Sequence, residues 1–376
     1  MRKDLRGVPA FLHVTMNLES IAGRFAIEGK VLEIKPLGNG LINDTYKVLT
    51  DGPKAYALQR VNNAIFTDVE LLQNNIVAVT AHIRRKLEAA GETDIDRKVL
   101  SFVPVTGGGR TWYEEDGKYW RLSVFIPDAY TFETVDPIYS RFAGEAFGRF
   151  EAMLADLKEP LGETIPDFHN MELRARQLHE AISADKSGRL KEPEVQALLA
   201  RLAPFEEEMC KAERLHREGK LPKRICHCDT KVNNMLFDAE GRVLCVIDLD
   251  TVMPSFIFSD FGDFLRTAAN TLAEDDPDEG AVDFRMDIFK AFADGYVEST
   301  KDFLTPIEKE NLPFAACLFP YMQACRFLAD YINGDTYYKI KYPGHNLVRA
   351  RNQAALFNAA LAKVPEMKRI LGIQAI

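Results

Sequence analysis

The 376-residue sequence lacks the features that mark several protein classes. Its six cysteines are scattered, so they form no disulfide framework and predict reduced thiols in a cytoplasmic protein. No run of about 18 apolar residues occurs, so we expect no transmembrane helix and no membrane partner. The first residues also lack an apolar stretch of signal-peptide length, which agrees with the cytoplasmic prediction.

Positive charge is scarce as well. The formal net charge is −9 and the isoelectric point is about 5.5, whereas a broad nucleic-acid surface needs clustered Lys and Arg. We therefore expect no nucleic-acid partner. The composition is ordinary for a globular protein and fits a monomer or a homodimer, and the length fits two domains or one large bilobed unit.

Strand patterns fill most of the first third of the chain. Residues 31–37 are rich in apolar side chains and run into Gly38, and two strands flank the hairpin-turn pair Asp51-Gly52. Apolar residues at spacings of three and four then predict a helix over 69–87. A second hairpin is predicted around Asp116-Gly117.

Helical patterns dominate after Pro127. The predicted helices cover about 194–217, 281–299, 314–332 and 346–363, and a short hairpin is embedded between about 224 and 247. The sequence therefore predicts an α+β, bilobal fold. Its N-terminal lobe, 1–126, is mostly β, and its C-terminal lobe, 127–376, is mostly α.

The most informative stretch runs from His227 to Asp250. Asp229 and Asn234 lie five residues apart, and a hairpin then returns the chain so that Asp248 can lie beside Asn234. An amide and carboxylates that converge in this way suit a hard divalent cation. Asp229 is left to face a substrate hydroxyl, and this division of roles is the one that phosphoryl transfer requires.

Two other readings of this region are weaker. Cys226 and Cys228 flank His227, but this spacing is too tight for the usual zinc site. Asp260, Phe261 and Gly262 spell the metal-binding motif of protein kinases, yet they lie too far past Asn234 for one hairpin to return them to a shared cation.

The spacing of the polar residues resembles a known pattern. In protein kinases an Asp follows the His by two residues, a Lys follows the Asp by two, an Asn follows it by five, and a second Asp comes after a hairpin. The matching residues here are His227, Asp229, Lys231, Asn234 and Asp248. Leu249 and Asp250 replace the Phe and Gly of the protein-kinase motif, and this departure resembles the aminoglycoside phosphotransferase and choline kinase superfamily.

The resemblance implies a protein-kinase-like fold with ATP and Mg²⁺ as cofactors. It implies a catalytic role for Asp229 and Lys231, and a metal site made of Asn234, Asp248 and Asp250. It also implies that Asp260 braces the catalytic loop, where an Asp is also a good helix cap.

Nucleotide-binding residues are predicted in the N-terminal lobe. The Gly-rich turn would let backbone N–H groups approach phosphates, and the strand before Pro127 is placed as the hinge that holds adenine. The residues concerned are Gly38, Asn39, Gly40, Asn43, Gln59, Phe125 and Ile126. Gln59 stands where a protein kinase has its strand lysine, so Gln59, the adjacent Arg60, or a greater reliance on Mg²⁺ must compensate.

Several stretches of sequence narrow the range of possible phosphoryl acceptors. The strings "HCDTKVNN", "VIDLDTVMP" and "CRFLADYINGDTYYKIKYPGHNLVRARNQ" are similar to those of N-acetylhexosamine 1-kinases. That resemblance implies transfer to the anomeric hydroxyl of GlcNAc or GalNAc, with Asp229, Arg326 and Tyr337 at the sugar. Arg326 could instead pair with Asp330 four residues on, and Tyr338 competes with Tyr337 for the sugar contact.

Other functions remain open on the same fold. Choline, ethanolamine, homoserine or an aminoglycoside could be the acceptor in place of an amino sugar. The missing strand lysine is also typical of a pseudokinase that only binds nucleotide. Retention of Asp229, Asn234 and Asp248 argues against that reading, because a pure binding protein does not need all three.

Overall fold

The computed structural model describes residues 17–37, 43–132 and 135–374. Contacts between residues divide the described chain into two units, each considered by itself. The first falls within Met1–Ala64 and Ser101–Phe125, and the second within Ile65–Leu100 and Ile126–Ile376. The division into lobes at 126 and 127 stays a prediction.

The first unit is a five-stranded antiparallel sheet with the strand order β1-β2-β3-β5-β4. A short helix, α1, precedes it. The elements are α1 (Leu18–Ala22), β1 (Val31–Pro36), β2 (Asp44–Thr50), β3 (Tyr56–Val61), β4 (Trp112–Glu115) and β5 (Lys118–Val124).

The two faces of this sheet differ in polarity. Alternate residues of β2, β3 and β5 point to one face and pack with α1 into an apolar core. This core includes Val48, Tyr56, Leu58, Trp120 and Leu122. The polar residues between them therefore lie on the opposite face, which is the face available for chemistry.

The second unit is mainly helical and carries two small two-stranded sheets, β6-β9 and β7-β8. Its helices are α2 (Val69–Ala89), α3 (Ile95–Lys98), α4 (Pro137–Leu154), α5 (Met171–Ala184), α6 (Pro193–Leu202), α7 (Glu206–Met209), α8 (Lys211–Arg217), α9 (Phe258–Ala268), α10 (Met286–Thr300), α11 (Pro306–Glu310), α12 (Leu312–Ile332) and α13 (His345–Ile370). Its strands are β6 (Arg224–Cys226), β7 (Met235–Phe237), β8 (Val243–Val246) and β9 (Met253–Ser255).

Helix α12 forms the centre of this unit. Nearly all of its residues are buried, and it packs against α5, α9 and α13. Because it is apolar on all sides, it is a core helix and not a surface one. No helix within the described ranges is both long enough and apolar enough to cross a membrane.

The structure confirms the predicted α+β class and corrects one helix. The helix predicted over 194–217 is broken into α6, a short 3₁₀ turn at Ala203–Phe205, α7 and α8. Pro204 lies at the break, because proline lacks an N–H and its ring clashes with the carbonyl one turn earlier. The spacing of apolar residues continues through the break, so this periodicity alone did not predict it.

Helices α4 and α10 approach closely at two glycines. A Cβ added to Gly144 would collide with the carbonyl oxygen of Phe292 and lie 2.8 Å from the Tyr296 nitrogen. A Cβ on Gly295 would collide with the carbonyl oxygen of Arg141. The contacting atoms are backbone atoms, so they cannot move aside without shifting a helix.

We expect Gly144→Ala to lower the free energy of unfolding by about 1–3 kcal/mol, because the added methyl group overpacks the helix contact. Thermal and urea unfolding would measure the loss. Gly280→Ala is the matched control, since the nearest atom to its added Cβ is 3.5 Å away in the Asp278 side chain. Equal stability of the two variants would contradict the proposed close packing.

Candidate functional site

The loop that follows β6 is fixed by one buried carboxylate. Asp260, in the first turn of α9, accepts hydrogen bonds from the backbone nitrogens of His227 at 2.8 Å and Cys228 at 2.7 Å. Its own carbonyl oxygen accepts from the Thr230 hydroxyl at 2.8 Å. These contacts agree with the expected bracing role of Asp260.

His227 is held by hydrogen bonds to both ring nitrogens. Its Nε2 lies 2.9 Å from the carbonyl oxygen of Ile247, and its Nδ1 lies 3.3 Å from the backbone nitrogen of Asp229. A carbonyl only accepts and an amide N–H only donates, so the neutral tautomer with the proton on Nε2 satisfies both contacts. His227 therefore orients the loop and has no nitrogen left for proton transfer.

The hairpin of β7 and β8 brings Asp248 to Asn234. Met235 pairs with Val246, and the backbone nitrogen of Ile247 donates to the carbonyl oxygen of Asn234 at 2.9 Å. Asp248 comes next, in the left-handed conformation with φ 61°. Few residues other than glycine adopt this conformation, and the backbone turns sharply at Asp248.

Asp229, Lys231 and Asn234 form a connected group. The Lys231 ammonium lies 2.9 Å from Oδ2 of Asp229. The Asn234 amide nitrogen donates to the carbonyl oxygen of Asp229 at 2.8 Å and to its Oδ2 at 3.1 Å. Because the Asn234 nitrogen is committed to Asp229, the amide oxygen on the other branch can serve as a ligand.

Burial and like charges together raise the proton affinity of Asp248. Asp248 keeps some exposure to solvent, but partial removal of water from its carboxyl group and then the carboxylates of Asp250 and Asp229 raise its pKa to about 6. Nearby carboxylates also stabilise the charge of Lys231. Burial lowers its pKa, but Asp229 and Asp248 outweigh burial and hold the pKa above its usual value.

This donor set fits a hard divalent cation. Asn234 supplies an amide oxygen, while Asp248 and the buried Asp250 supply carboxylates. Oxygen donors of this kind are what Mg²⁺ takes from proteins, with water and phosphate completing the shell. The pKa of Asp248 is raised by burial and by the neighbouring carboxylates, and Lys231 offsets this only in part.

Asp263 is a residue of this region that the sequence reasoning missed. Its half-buried side chain lies 3.4 Å from the Arg266 guanidinium, and its pKa is raised to about 6, mainly by removal of water and against the effect of Arg266. Asp229 raises that pKa further, so Asp263 faces the catalytic loop. Its position three residues after Asp260 was the available signal, since residues at i and i+3 share a helix face.

The predicted nucleotide residues fall in the first unit, except Ile126. Gly38, Asn39 and Gly40 lie outside the described residues. Asn43 is buried, and its side-chain oxygen accepts from the backbone nitrogen of Asn62 at 2.9 Å. The backbone nitrogen of Phe125 donates to the carbonyl oxygen of Ala55 at 2.9 Å, which continues the hydrogen bonding of the sheet. Ile126, the other predicted hinge residue, is buried and belongs to the second unit.

Gln59 lies on the polar face of the sheet among cationic neighbours. Its Oε1 accepts from the Arg121 Nε at 2.9 Å, and its Nε2 donates to the Thr45 hydroxyl at 3.1 Å. Lys47 is on the same face, with its ammonium 3.9 Å from the centre of the Phe125 ring. The position of the expected strand lysine could not reveal Arg121 and Lys47, because both lie on neighbouring strands. Strand pairing brings them to the same sheet face as Gln59.

Arg326 lies among aromatic rings. Its guanidinium is 5.8 Å from the Phe168 ring and 5.6 Å from the Tyr338 ring, and its Nη1 donates to Gln323 at 3.2 Å. Asp330 has different partners from the one considered in the sequence. Its carboxylate accepts from the backbone nitrogens of Thr336, Tyr337 and Tyr338 and from the Asn346 amide.

The two neighbouring tyrosines differ in exposure. Tyr337 is 72% exposed, whereas Tyr338 is half-buried and its hydroxyl accepts from the Gln323 amide at 3.2 Å. Tyr338 is therefore the ring that contacts the Arg326 region directly. Tyr337 packs edge-on against Tyr338, with ring centres 4.8 Å apart.

The sequence model of the phosphotransferase enzyme family, APH, matches residues 33–296. The chain belongs to this phosphotransferase family. The match includes the loop at Asp229 and the hairpin that leads to Asp248. The predicted superfamily is thus confirmed, while the likeness to N-acetylhexosamine 1-kinases stays a prediction.

Solved structures share the fold of this phosphotransferase. Amicoumacin kinase hAmiN in complex with AMP-PNP, Ca²⁺ and Ami is 15% identical, with 90% of this chain and 92% of that chain covered and a TM-score of 0.56. An aminoglycoside phosphotransferase from Alicyclobacillus acidocaldarius subsp. acidocaldarius DSM 446 is 12% identical, with 99% of both chains covered and a TM-score of 0.61. A choline/ethanolamine kinase family protein from Mesorhizobium loti is 15% identical, with 94% and 97% covered and a TM-score of 0.50. The protein-kinase-like fold is therefore confirmed.

We expect metal-free Asp248→Asn to melt roughly 1–2 °C above the wild type at pH 8, because the substitution removes one of three crowded negative charges. The folded-state pKa of Asp248 is raised to about 6, so ionising it costs stability as pH rises from about 4 to 6. The gain should disappear at pH 4. Thermal unfolding in EDTA measures it, with the exposed Asp302→Asn as the control, and a lower melting temperature at pH 8 would contradict the charge crowding.

Proposed function

We propose that this phosphotransferase is an ATP- and Mg²⁺-dependent kinase of a small-molecule hydroxyl. The proposed acceptor is the anomeric hydroxyl of an N-acetylhexosamine, GlcNAc or GalNAc. The observation that carries the kinase proposal is the junction of Asp229, Lys231 and Asn234 with the hairpin to Asp248. A catalytically silent binding protein would not need a carboxylate held in this way.

Asp229 is the proposed base that positions the acceptor. Its Oδ2 is engaged by Lys231 and Asn234, which leaves Oδ1 to accept the proton of the acceptor hydroxyl. Lys231 and Asn234 fix the orientation of Asp229, so a hydroxyl bound there would be aimed for attack. Such groups act mainly by positioning the reactants and by stabilising charge in the transition state.

Asn234, Asp248 and Asp250 are the proposed metal ligands. Mg²⁺ bound there would neutralise charge on the phosphates of ATP during transfer. The similar amicoumacin kinase is described in complex with AMP-PNP and Ca²⁺, which supports a nucleotide and a divalent cation for the fold. Asp248 would lose its excess proton affinity when the cation is present.

The N-terminal lobe, 1–126, is the proposed nucleotide-binding part. Residues 38–40 and Asn43 would cover the phosphates, and the backbone at 125–126 would hold the adenine. Arg121 and Lys47, which share the polar sheet face with Gln59, would supply the positive charge that a strand lysine gives protein kinases. In this assignment Arg121 and Lys47 together take the place of the missing strand lysine.

Positive charge near the proposed acceptor residues favours a neutral, hydroxyl-rich acceptor. A quaternary ammonium group needs free aromatic faces and acidic neighbours. Here the Arg326 guanidinium already lies over Phe168 and Tyr338. Arg174 lies near Arg326, and its pKa is lowered to about 10, first by burial and then by the charge of Arg326. A cationic acceptor would be repelled by these two guanidinium groups, which argues against choline and against polycationic aminoglycosides.

We expect Asp229→Asn to lower kcat by a factor of 10²–10⁴, because an amide cannot accept the hydroxyl proton. Steady-state assays with GlcNAc, ATP and Mg²⁺ measure this. Asp294→Asn, a surface change on α10, is the matched control. Nearly full activity of Asp229→Asn would rule out the role of this carboxylate.

A panel of acceptors tests the second half of the proposal. We expect ³¹P NMR to show an anomeric sugar phosphate with GlcNAc or GalNAc, and little product with choline, ethanolamine, homoserine or an aminoglycoside. Arg326→Ala should raise KM for the sugar about tenfold or more, the loss of roughly one charged hydrogen bond, and leave KM for ATP unchanged. The exposed Arg369→Ala is the control, and faster turnover of choline than of sugar would contradict the proposed acceptor.

A further inference from the structure

Two buried carboxyl groups meet beneath the loop that carries Asp229. Glu151 of α4 is 2% exposed and Asp260 of α9 is 0% exposed. One carboxyl oxygen of each and the Cys226 sulfur all lie within 4.8 Å of one another. Two carboxylates this close in an apolar interior cannot both carry a charge, so one of them holds a proton.

The hydrogen bonds decide which group holds the proton. Both oxygens of Asp260 accept from backbone N–H groups, those of His227 and Cys228, and these bonds stabilise the ionised form. Glu151 accepts a hydrogen bond from the Tyr296 hydroxyl on Oε2, while its buried Oε1 accepts from no donor among the described residues. The proton therefore resides on Glu151, whose carboxyl group lies beside Asp260.

The surrounding charges agree with this assignment. Burial raises the pKa of Glu151 well above its usual value, and the negative charge of Asp260 raises it further. The groups that face the pair are Tyr296 of α10, Cys226 and Arg224 of β6, and His227 of the loop. Arg224 is itself paired with Glu308 at 2.9 Å, so its charge is already matched.

A bound metal fits these atoms poorly. Both Asp260 oxygens are committed to backbone donors, and the Cys226 thiol donates to the carbonyl oxygen of Phe256 at 3.3 Å. A cation would have to break these bonds and deprotonate the thiol. The geometry thus favours a shared proton over a metal.

We propose that Glu151 is a positioning residue whose protonated carboxyl donates to Asp260 and thereby holds the loop that presents Asp229. The positioning role of Glu151 rests on the proposed kinase function. Asp260 holds Cys228 in a left-handed conformation with φ 62°, which costs free energy in a residue other than glycine. Asp229 is the next residue, so a loosened Asp260 would let Cys228 relax and move the catalytic carboxylate.

Glu151→Gln is the central variant, because glutamine has the shape of a protonated glutamate and cannot lose the proton. The infrared difference spectrum between wild type and Glu151→Gln at pH 8 should contain the C=O stretching band of a protonated carboxylic acid. Glu172→Gln is the matched control. Glu172 is paired with Arg217 at 2.7 Å and its charged neighbours are arginines outside the Glu151–Asp260 pair, so its removal should leave that band in place.

Unfolding experiments test the same proton without any activity assay. A raised folded-state pKa means that the wild type loses stability as pH rises above the unfolded value of about 4.5. The unfolding constant of the wild type should therefore grow relative to that of Glu151→Gln by up to tenfold per pH unit between pH 5 and 8. A constant ratio, or absence of the infrared band, would overturn the protonated state.

The kinetic pH profile separates positioning from simple structural support. The alkaline limb of kcat should lie at higher pH in Glu151→Gln than in the wild type, with KM for ATP unchanged. An unmoved limb with the infrared band assigned to Glu151 would overturn the positioning role. Failure of every acceptor to be phosphorylated would instead count against the kinase proposal, because the infrared and unfolding results do not depend on it.

A second variant covers the case in which Glu151→Gln does not fold. Tyr296→Phe keeps the Glu151 carboxyl and removes the hydroxyl that donates to it. The protonated-acid band should then shift in frequency and remain present. A band that does not respond would show that the proton lies elsewhere and would overturn the proposal.

Discussion

The catalytic loop depends on the hydrogen bonds that Asp260 makes to its backbone. A single buried carboxylate accepts from two consecutive N–H groups and holds Cys228 in a conformation that it would otherwise leave. The direction of Asp229, the contacts of His227 and the start of the β7-β8 hairpin all follow from that fixed point. The cost of burying the charge is offset by these donors.

The chemistry of the site separates into parts with different demands. Lys231 and Asn234 hold the carboxylate of Asp229 in one orientation. Burial first, and then the nearby carboxylates of Asp250 and Asp229, raise the pKa of Asp248. Such a site is less stable alone than with its ligands, as functional sites often are.

The sequence predicted the local arrangements better than the long-range ones. The proximity of Asn234 and Asp248 followed from a short hairpin, because strand pairing over a few residues leaves little freedom. The break at Pro204 was missed because the apolar spacing continues through it. Arg121 and Glu151 were missed because strand pairing and helix packing, and not spacing along the chain, bring them to their partners. The predicted acceptor contacts stay predictions, since no local pattern distinguishes one hydroxyl from another.

The position of α12 has a consequence for the order in which the protein forms during synthesis. Helix α9 carries Asp260 and packs against α12, which comes about fifty residues later in the chain. Before residues 312–332 have left the ribosome, α9 can pack only against α4 and α10 and lacks its most extensive helix contact. The nascent chain therefore contains Asp229 before the packing that supports Asp260 is complete.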